Sequence, residues 1–415
     1  MMKKALISAC LLLGAMTTTA QEKTLTVDAQ LRTRAEYRNG AVTPRYEGDK
    51  PATFVNERAR LGLQFERSNL TLRMAAQHTG VWGQDPQVDK QGRVAVNEAW
   101  ARLTFGKGLF VQLGRQPLVY DDERLLGALD WNVAGRSHDA LRVGYSEGRH
   151  EVHAVVAVNA NDETTKQTYY DATKGQPYKS MQTVWYHYDG HEWELPFDVS
   201  VLFMNLGFEK GNKVWGTSDV KTMQTIGTHF NVVPPVDGLK LTGTFYYQMG
   251  NNTSAWLGSA KAAYKIDDTW SVHAAYDYVS GDDGMGEGKY NAFTPLYGTH
   301  HKFYGAMDYF YASPFRRAIY NYGLQDIQVG VQSKILPLVP MQLTYHYFAT
   351  AAKMQDAILG LGHELDYQLS YNVTKGVSLS AGYSFMLGKH TLDILKGGDH
   401  KRWQDWGWAQ VTFSM

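Results

Sequence analysis

Cysteine is nearly absent from the sequence, with Cys10 as the only one in 415 residues. Disulfide bonds therefore cannot hold the fold together, even in an oxidising compartment. Basic and acidic residues are balanced at 41 each, so the positive excess typical of nucleic-acid-binding proteins is missing. We expect no nucleic-acid partner, and a fold that depends on backbone pairing and apolar burial.

Long apolar runs are also missing. Beyond the first twenty residues, no segment has the roughly 18 consecutive apolar residues that a transmembrane helix needs. The first twenty are typical of an export signal, with Lys3 and Lys4 before an apolar stretch from Ala5 to Ala15 and small residues up to Ala20. We predict a cleaved signal peptide at 1–20 and a single domain at 21–415.

The sequence is rich in aromatic residues and glycine, with 11 Trp, 26 Tyr, 16 Phe and 40 Gly. Its dominant hydrophobic period is two. Between 361 and 372, for example, Leu365, Tyr367 and Leu369 alternate with Glu364, Asp366 and Gln368. Strands that have one lipid-facing and one wet side show this pattern, and aromatic girdles are typical of outer-membrane barrels.

Eighteen segments follow this alternation. The predicted strands are 24–38, 54–67, 69–79, 94–105, 108–115, 138–146, 150–159, 180–190, 193–207, 219–231, 238–249, 254–266, 269–280, 324–335, 340–351, 360–373, 376–387 and 405–414. Tight turns such as 67–69, 106–107 and 374–375 alternate with longer connections such as 116–137, 281–323 and 388–404. Outer-membrane barrels alternate short periplasmic turns with long extracellular loops in this way.

The sequence therefore predicts an all-β transmembrane antiparallel barrel of about 18 strands, located in the outer membrane with lipid around it. A soluble sandwich or propeller is the alternative, but no blade-like repeat is visible. We place 302–310 in a loop, because another strand would spoil the even count. In the last strand we expect Trp406 and Trp408 to face outward with Val411 and Phe413, with a slip of one residue near Gln410.

In the early strands, arginine occupies many of the polar positions that alternate with the apolar ones. Inward positions are predicted for Arg32, Arg34, Arg58, Arg60, Arg73, Arg102 and Arg142. Guanidinium groups bind carboxylates, and rings of arginine select anions in pores. We hypothesise that Arg58, Arg60 and Arg73 form part of a filter. The alternative is that these arginines pair with inward acids such as Glu98, Glu364 and Asp366, and so hold the barrel's shape.

The sequence offers no convincing set of catalytic residues. The segment 131–139 contains His138 and Asp139 but no nucleophile, and His300 and His301 point opposite ways on any regular strand. Asp282 and Asp283 fit an ordinary turn better than a calcium loop. We expect no enzymatic activity, no cofactor and no metal site.

The segment Leu113 to Gly127, with Gly114-Arg115-Gln116-Pro117 and Asp121-Asp122-Glu123-Arg124, resembles the alginate export family. The resemblance continues through 129–142, 293–302 and 361–366. It implies an eighteen-stranded outer-membrane barrel that passes a polyuronate through an electropositive lumen. It also implies that Arg115, Arg124, Arg136 and Arg142 contact the carboxylated chain. Strand phase places Arg115 on the lipid side, so a bulge or an inward fold of 116–137 would be needed there.

These observations favour a channel that passes anionic oligosaccharide or polysaccharide by passive diffusion through an arginine-lined lumen. Loops 116–137 and 281–323 are predicted to act as partial plugs, and periplasmic export components are candidate partners. One alternative is a general or sugar-acid uptake porin. The other is a sealed scaffold or adhesin, which fully paired arginines and pore-filling loops would favour.

Overall fold

A computed structural model describes residues 23–88, 93–284, 288–311, 322–336, 339–354 and 358–415. The predicted signal peptide at 1–20 lies outside these residues. The described chain forms one antiparallel sheet of eighteen strands. The strands are β1 Lys23–Asn39, β2 Ala52–Arg67, β3 Leu70–Val81, β4 Ala95–Phe105, β5 Leu109–Gln116, β6 His138–Glu147, β7 His150–Val158, β8 Ser180–Asp189, β9 Phe197–Glu209, β10 Val220–Val232, β11 Leu239–Gly250, β12 Thr253–Lys265, β13 Trp270–Val279, β14 Leu324–Leu336, β15 Val339–Ala349, β16 Gly360–Thr374, β17 Val377–Gly388 and β18 Gln404–Ser414.

The sheet closes on itself. Each strand pairs with its neighbours in sequence, and β1 pairs with β18 as well as with β2. The pairing of β1 with β18 runs from Gln30 opposite Ser414 to Asn39 opposite Asp405. Closure leaves no open sheet edge, which a strand-built membrane protein requires because lipid cannot satisfy free backbone groups. The predicted closed barrel of eighteen strands is confirmed.

The alternation of apolar and polar residues separates an outer from an inner face. Leu25, Leu61, Met74 and Leu113 are 63, 53, 62 and 62% exposed, although they are large apolar side chains. Their alternating neighbours are turned inward, as with Phe110 and Gln112 on β5. Contact with lipid tails explains why apolar residues remain on this outer surface.

Short turns and longer loops mostly alternate as predicted, although the connection 251–252 between β11 and β12 is a tight turn on the extracellular side. The periplasmic turns are short, as at 68–69, 148–149 and 375–376, whereas the extracellular connections reach their greatest length at 117–137 and 280–323. Residues 302–310 contribute no strand, and a short 3-10 turn at His300–Lys302 stands there instead. The strand predicted from 193 begins only at Phe197, because a main-chain hydrogen bond from Gly190 to Phe197 closes a longer turn.

The orientation predicted for the last strand is wrong. The pairing of β18 with β1 and β17 runs without a shift in register, so the side chains alternate without a slip near Gln410. Trp406 is only 2% exposed and lies inside the barrel with Trp408, while Val411 and Phe413 lie on the outer phase. The two tryptophans contact Trp131 in the interior rather than lipid.

An α-helix, α1, spans His390–Lys396 between β17 and β18. No helix in the described ranges is long and apolar enough to cross a membrane.

Candidate functional site in the barrel lumen

Two extracellular loops fold back into the barrel. Leu118, Leu125 and Leu126 of the loop 117–137 are 0–2% exposed, as is Phe293 of the loop 280–323. They pack into one apolar cluster with inward residues of the wall such as Leu202. Main-chain hydrogen bonds join the two loops, from Tyr297 to Leu125 (3.0 Å) and from Gly127 to Tyr297 (3.1 Å). The loops therefore occupy the lumen as one connected unit, which we call the loop plug (117–137 with 290–311).

Three predicted pore arginines hold this plug in place. Arg32 donates to the carbonyl oxygens of Asp130 (2.6 Å) and Asn132 (3.0 Å), and Arg34 donates to that of Trp131 (2.9 Å). Arg58 forms an ion pair with the Asp130 carboxylate at 2.8 Å. All three arginines are at most 6% exposed. They face inward as predicted, but they lie behind the loop and are closed off from solutes.

The Asp130 carboxylate is the acidic partner of this cluster. Burial alone would raise its pKa, but the hydrogen bond and charge of Arg58 and the charges of Arg32 and Arg60 lower it below the usual value. Asp130 is therefore ionised at neutral pH, and its pair with Arg58 is charged. The Arg34 guanidinium also lies 3.9 Å from the centre of the Trp131 ring, which adds a cation–π contact to the same segment.

Arg124 and Arg136 belong to the plug itself. Arg124 donates to Asp122 (2.7 Å) and to Asp277 on β13 (2.9 Å), and it is 6% exposed. Burial lowers the pKa of Arg124, but Asp277 and Asp122 outweigh it and raise the pKa above the usual value. Arg136 donates to the carbonyl oxygens of Tyr297 and Gly298, and burial lowers its pKa to about 10. Both arginines therefore remain charged and serve to bind loop to wall and loop to loop.

Arg73 and Arg115 are paired as well, but on opposite sides of the wall. Arg73 faces the lumen and contacts the carboxylates of Asp28 and Glu98. Arg115 contacts Asp139 at 3.1 Å on the outer face. The expectation from the family resemblance that Arg115 lines the pore is wrong. The register of β5 with β4 and β6 is continuous there, so no bulge turns this side chain inward.

Arg60, Arg102 and Arg142 have different surroundings. They face inward and are half-buried, and no carboxylate in the described part of the chain lies within ion-pair distance of them. Arg60 donates to the amide oxygen of Gln77 at 2.8 Å. Arg102 and Arg142 both donate to the amide oxygen of Gln112, at 2.8 and 3.0 Å. We call these three residues the unpaired arginines.

Gln77 and Gln112 are held in place by hydrogen bonds from their own amide nitrogens. The amide nitrogen of Gln77 donates to the carbonyl of Ala134 (2.8 Å), and that of Gln112 donates to Gln116 (2.9 Å). Each amide oxygen is thereby turned towards its arginine. A carboxamide accepts the hydrogen bond but carries no charge, so it orients the guanidinium without neutralising it.

The opposite side of the barrel encloses an open space. A cavity of ≈ 530 Å³ lies beneath the plug against β12–β18, and a second of ≈ 680 Å³ lies at the periplasmic turns. Both are lined by Gln332, Gln342, Gln368 and Trp408, so they form one space that leads from the periplasmic end to the plug.

Lys261 lines the upper cavity and is missing from the predicted site residues. It is exposed within the lumen, and no ion pair involves it among the described residues. Lys302, on the plug, lines the same space and contacts Glu123 at 3.3 Å. The period-two pattern of β12 could have identified Lys261, because Leu257 and Ser259 share its inward phase.

The inward acids Glu364 and Asp366, which the sequence suggested as partners of the arginines, bind the main chain of the plug instead. Glu364 accepts a hydrogen bond from the main chain of Met307 (2.8 Å), and Asp366 accepts one from Ala306 (3.1 Å). Gly305 has a φ of +86°, and a Cβ there would lie 2.6 Å from the Glu364 carboxylate. Glu364 is 1% exposed. These carboxylates therefore anchor the plug to β16.

A closed eighteen-stranded barrel with inward loops and a polar lumen defines a porin-like outer-membrane protein. The chain belongs to the alginate export family, whose model matches residues 23–383. No match is found among curated protein sequences.

Solved porins share the fold at low sequence identity. OccAB4 of Acinetobacter baumannii matches with a TM-score of 0.60 and 12% identity, covering 95% of this chain and 98% of that one. OccK9 (OpdG) of Pseudomonas aeruginosa matches with a TM-score of 0.60 and 13% identity over 94 and 98%. OccK2 (OpdF) of the same organism was solved in complex with glucuronate. It matches with a TM-score of 0.56 and 12% identity, covering 94% of this chain and 98% of that one.

Proposed function

We propose that this barrel is a passive diffusion channel that prefers anions and passes carboxylated saccharides. The unpaired arginines are the observation that carries the proposal. Three guanidinium groups point into the lumen with no carboxylate of the described residues within ion-pair distance, and Lys261 adds an exposed ammonium group across the lumen. Fixed positive charge in a narrow polar passage raises the local concentration of anions.

Carboxylated sugars suit these groups better than small inorganic anions alone. A guanidinium binds a carboxylate through two parallel hydrogen bonds, whereas the lumen amides Gln332, Gln342 and Gln368 can bond to hydroxyl groups. The alginate export family and the glucuronate complex of OccK2, a barrel of similar fold, are consistent with a uronate as solute. Such contacts are spread along the wall, and weak successive sites are what conduction requires.

The second candidate is a channel for small sugar acids only. The loop plug favours it, because the ion pairs Arg58–Asp130 and Arg124–Asp277 fix the loop 117–137 to the wall on two sides of the lumen. A polymer chain needs a continuous bore, whereas a monomer needs only room to pass the plug. The two candidates share the same basic residues and differ in the size of the solute.

Ion selectivity in a planar bilayer tests the proposal. We expect reversal potentials across a salt gradient to show anion preference for the wild-type protein, and the double variant Arg102→Gln/Arg142→Gln to lose most of it. A unit charge about 6 Å from an ion in water contributes about 0.7 kcal/mol, favourable for an anion and unfavourable for a cation, so each arginine should change the anion-to-cation permeability ratio roughly ten-fold. Arg115→Gln is the matched control, because that arginine lies on the outer face.

Added uronates then separate the candidates. Block by both glucuronate and long oligouronates supports the polyuronate channel, and block by glucuronate alone supports the sugar-acid porin. Equal permeability to both ion signs in the wild type would overturn the proposal. Absence of any conductance would also overturn it and would favour a sealed scaffold.

A further inference from the structure

The extracellular connection between β17 and β18 brings two histidines and an aspartate together. His390 and Asp393 lie one turn apart on α1, and the chain then reverses and returns His400 to the same side. One Asp393 oxygen, Oδ2, lies 3.8 Å from His390 Nδ1 and in hydrogen-bond contact with His400 Nδ1. One donor atom from each of the three residues lies within 4.8 Å of the other two.

Main-chain contacts fix this arrangement. The main-chain N–H of His400 donates to Asp393 Oδ1 at 2.7 Å, which turns Oδ2 towards both imidazole rings. Gly397 has a φ of +76° and donates to the carbonyl of Asp393 at 2.7 Å, so the helix ends there and the chain turns back. Asp399 also donates to the carbonyl of Arg45 (2.9 Å), which ties the turn to the loop between β1 and β2.

We propose that His390, Asp393 and His400 form a binding site for a divalent transition-metal ion of the zinc class. Two imidazole nitrogens and one carboxylate oxygen suit Zn²⁺, Ni²⁺ or Cu²⁺, whereas Ca²⁺ and Mg²⁺ prefer oxygen ligands alone. Zinc bonds of about 2.0–2.1 Å in a tetrahedron place neighbouring ligand atoms roughly 3.3 Å apart. The two separations from Asp393 Oδ2, a hydrogen-bond contact to His400 and 3.8 Å to His390, lie on either side of this value.

A hydrogen bond between Asp393 and His400 alone would not explain why the His390 side chain lies beside them. That residue is 77% exposed and adds nothing to such a bond, yet its ring centre lies 5.8 Å from that of His400. Its exposure leaves a fourth ligand position open to water. Leu392 of the same helix is fully buried in the barrel interior, so a bound ion would fasten a loop that is already anchored at its inner side. This site does not depend on what the pore carries.

Zinc titration of the detergent-purified full barrel without a histidine tag tests the proposal, with calorimetry as the readout. We expect one Zn²⁺ per chain, and a loss of at least roughly ten-fold in affinity in His390→Ala and in His400→Ala, because losing a ligand should cost no less than losing its supporting partner. His191→Ala is the matched control. That exposed histidine also contacts aspartate, at Asp189, but it belongs to no cluster of three close metal-ligand atoms in the part of the chain that the structure describes.

Cobalt binding adds a second measurement. Co²⁺ at the site should give the visible absorption of a four-coordinate ion in the wild type and in His191→Ala, but not in the other two variants. Heat-modified mobility on gels checks that every variant retains the barrel. Wild-type protein that binds no zinc, or variants at 390 and 400 that bind it as tightly as wild type, would overturn the proposal.

Discussion

The neighbours of each arginine decide its role in this barrel. Arg32, Arg34 and Arg58 are buried against the segment 130–132, whereas Arg102 and Arg142 are half-buried and held by an amide. Removing an ion-pair partner from a buried guanidinium is costly, so the first group is suited to structure. A guanidinium oriented by Gln112 keeps its charge and its free donors, so the second group is suited to recognising anions.

Gln112→Glu should therefore reduce anion selectivity without removing any arginine. The new carboxylate would lie about 3 Å from both Arg102 and Arg142 and would neutralise part of their charge. Reversal potentials should move at least halfway towards those of Arg102→Gln/Arg142→Gln. Gln112→Met is the control, because it removes the hydrogen bonds but adds no charge. Equal selectivity in the glutamate variant and the wild type would show that these arginines are not part of the filter.

At the scale of elements, the loop plug is strained and held by its contacts. Leu296, Tyr304 and Tyr311 adopt φ values of 48°, 65° and 57°, in the left-handed region that large side chains avoid. Each such residue costs on the order of 1–3 kcal/mol. Burial of the loop side chains, together with the anchors at Glu364, Arg124 and Arg136, offsets this cost. The plug conformation is therefore a property of loop and wall together.

Acid should loosen the segment 290–311. Burial lowers the pKa of His300 from 6.5 to about 4, and its Nε2 lies 3.0 Å from the carbonyl of Pro295. The detached loop binds a proton near pH 6.5 and the docked loop only near pH 4, so docking weakens as the pH falls between these values. At 1.36 kcal/mol per unit, the loss reaches up to about 3 kcal/mol.

Hydrogen exchange of this loop, corrected for intrinsic rates, measures the effect. Protection in the wild type should fall from pH 6.5 to pH 4, and His300→Gln should show a much smaller change over the same range. Protection that stays constant in the wild type would contradict this expectation.

At the scale of the whole molecule, the plug lies between two sides of the barrel wall. One wall carries the unpaired arginines on β2, β4 and β6, and the other lines the cavities along β12–β18. Asp130 connects the plug to the first wall through Arg58 and Arg32. If the lumen conducts as proposed, we expect the width of the passage to depend on that contact.

Asp130→Asn should widen the passage. Loss of the carboxylate leaves the buried Arg58 without its ion pair, at a cost of about 1–3 kcal/mol. We expect higher single-channel conductance, more frequent current fluctuations and faster proteolysis within 117–137. Asp139→Asn, which breaks the outer pair with Arg115, is the control and should leave conductance unchanged. Identical conductance in wild type and Asp130→Asn would show that this loop does not set the bore.

The sequence by itself determined the barrel. Alternation with a period of two assigns each strand residue to lipid or lumen, and the lengths of most connections indicate their side of the membrane. Both are local properties, so eighteen strands and the inward phase of Arg60, Arg102 and Arg142 could be predicted. The orientation of Arg115 on the outer face also followed from phase alone, against the family resemblance.

Only the tertiary structure decided what the inward residues do. Phase shows that Arg58 and Arg102 both point into the barrel, but it cannot show that Asp130, a loop residue 72 positions from Arg58, covers one of them while an amide holds the other. The path of the loops depends on apolar burial between segments far apart in sequence, such as Leu126 beside Tyr297. Such contacts leave no periodic pattern in the chain, because each is made once and between irregular segments.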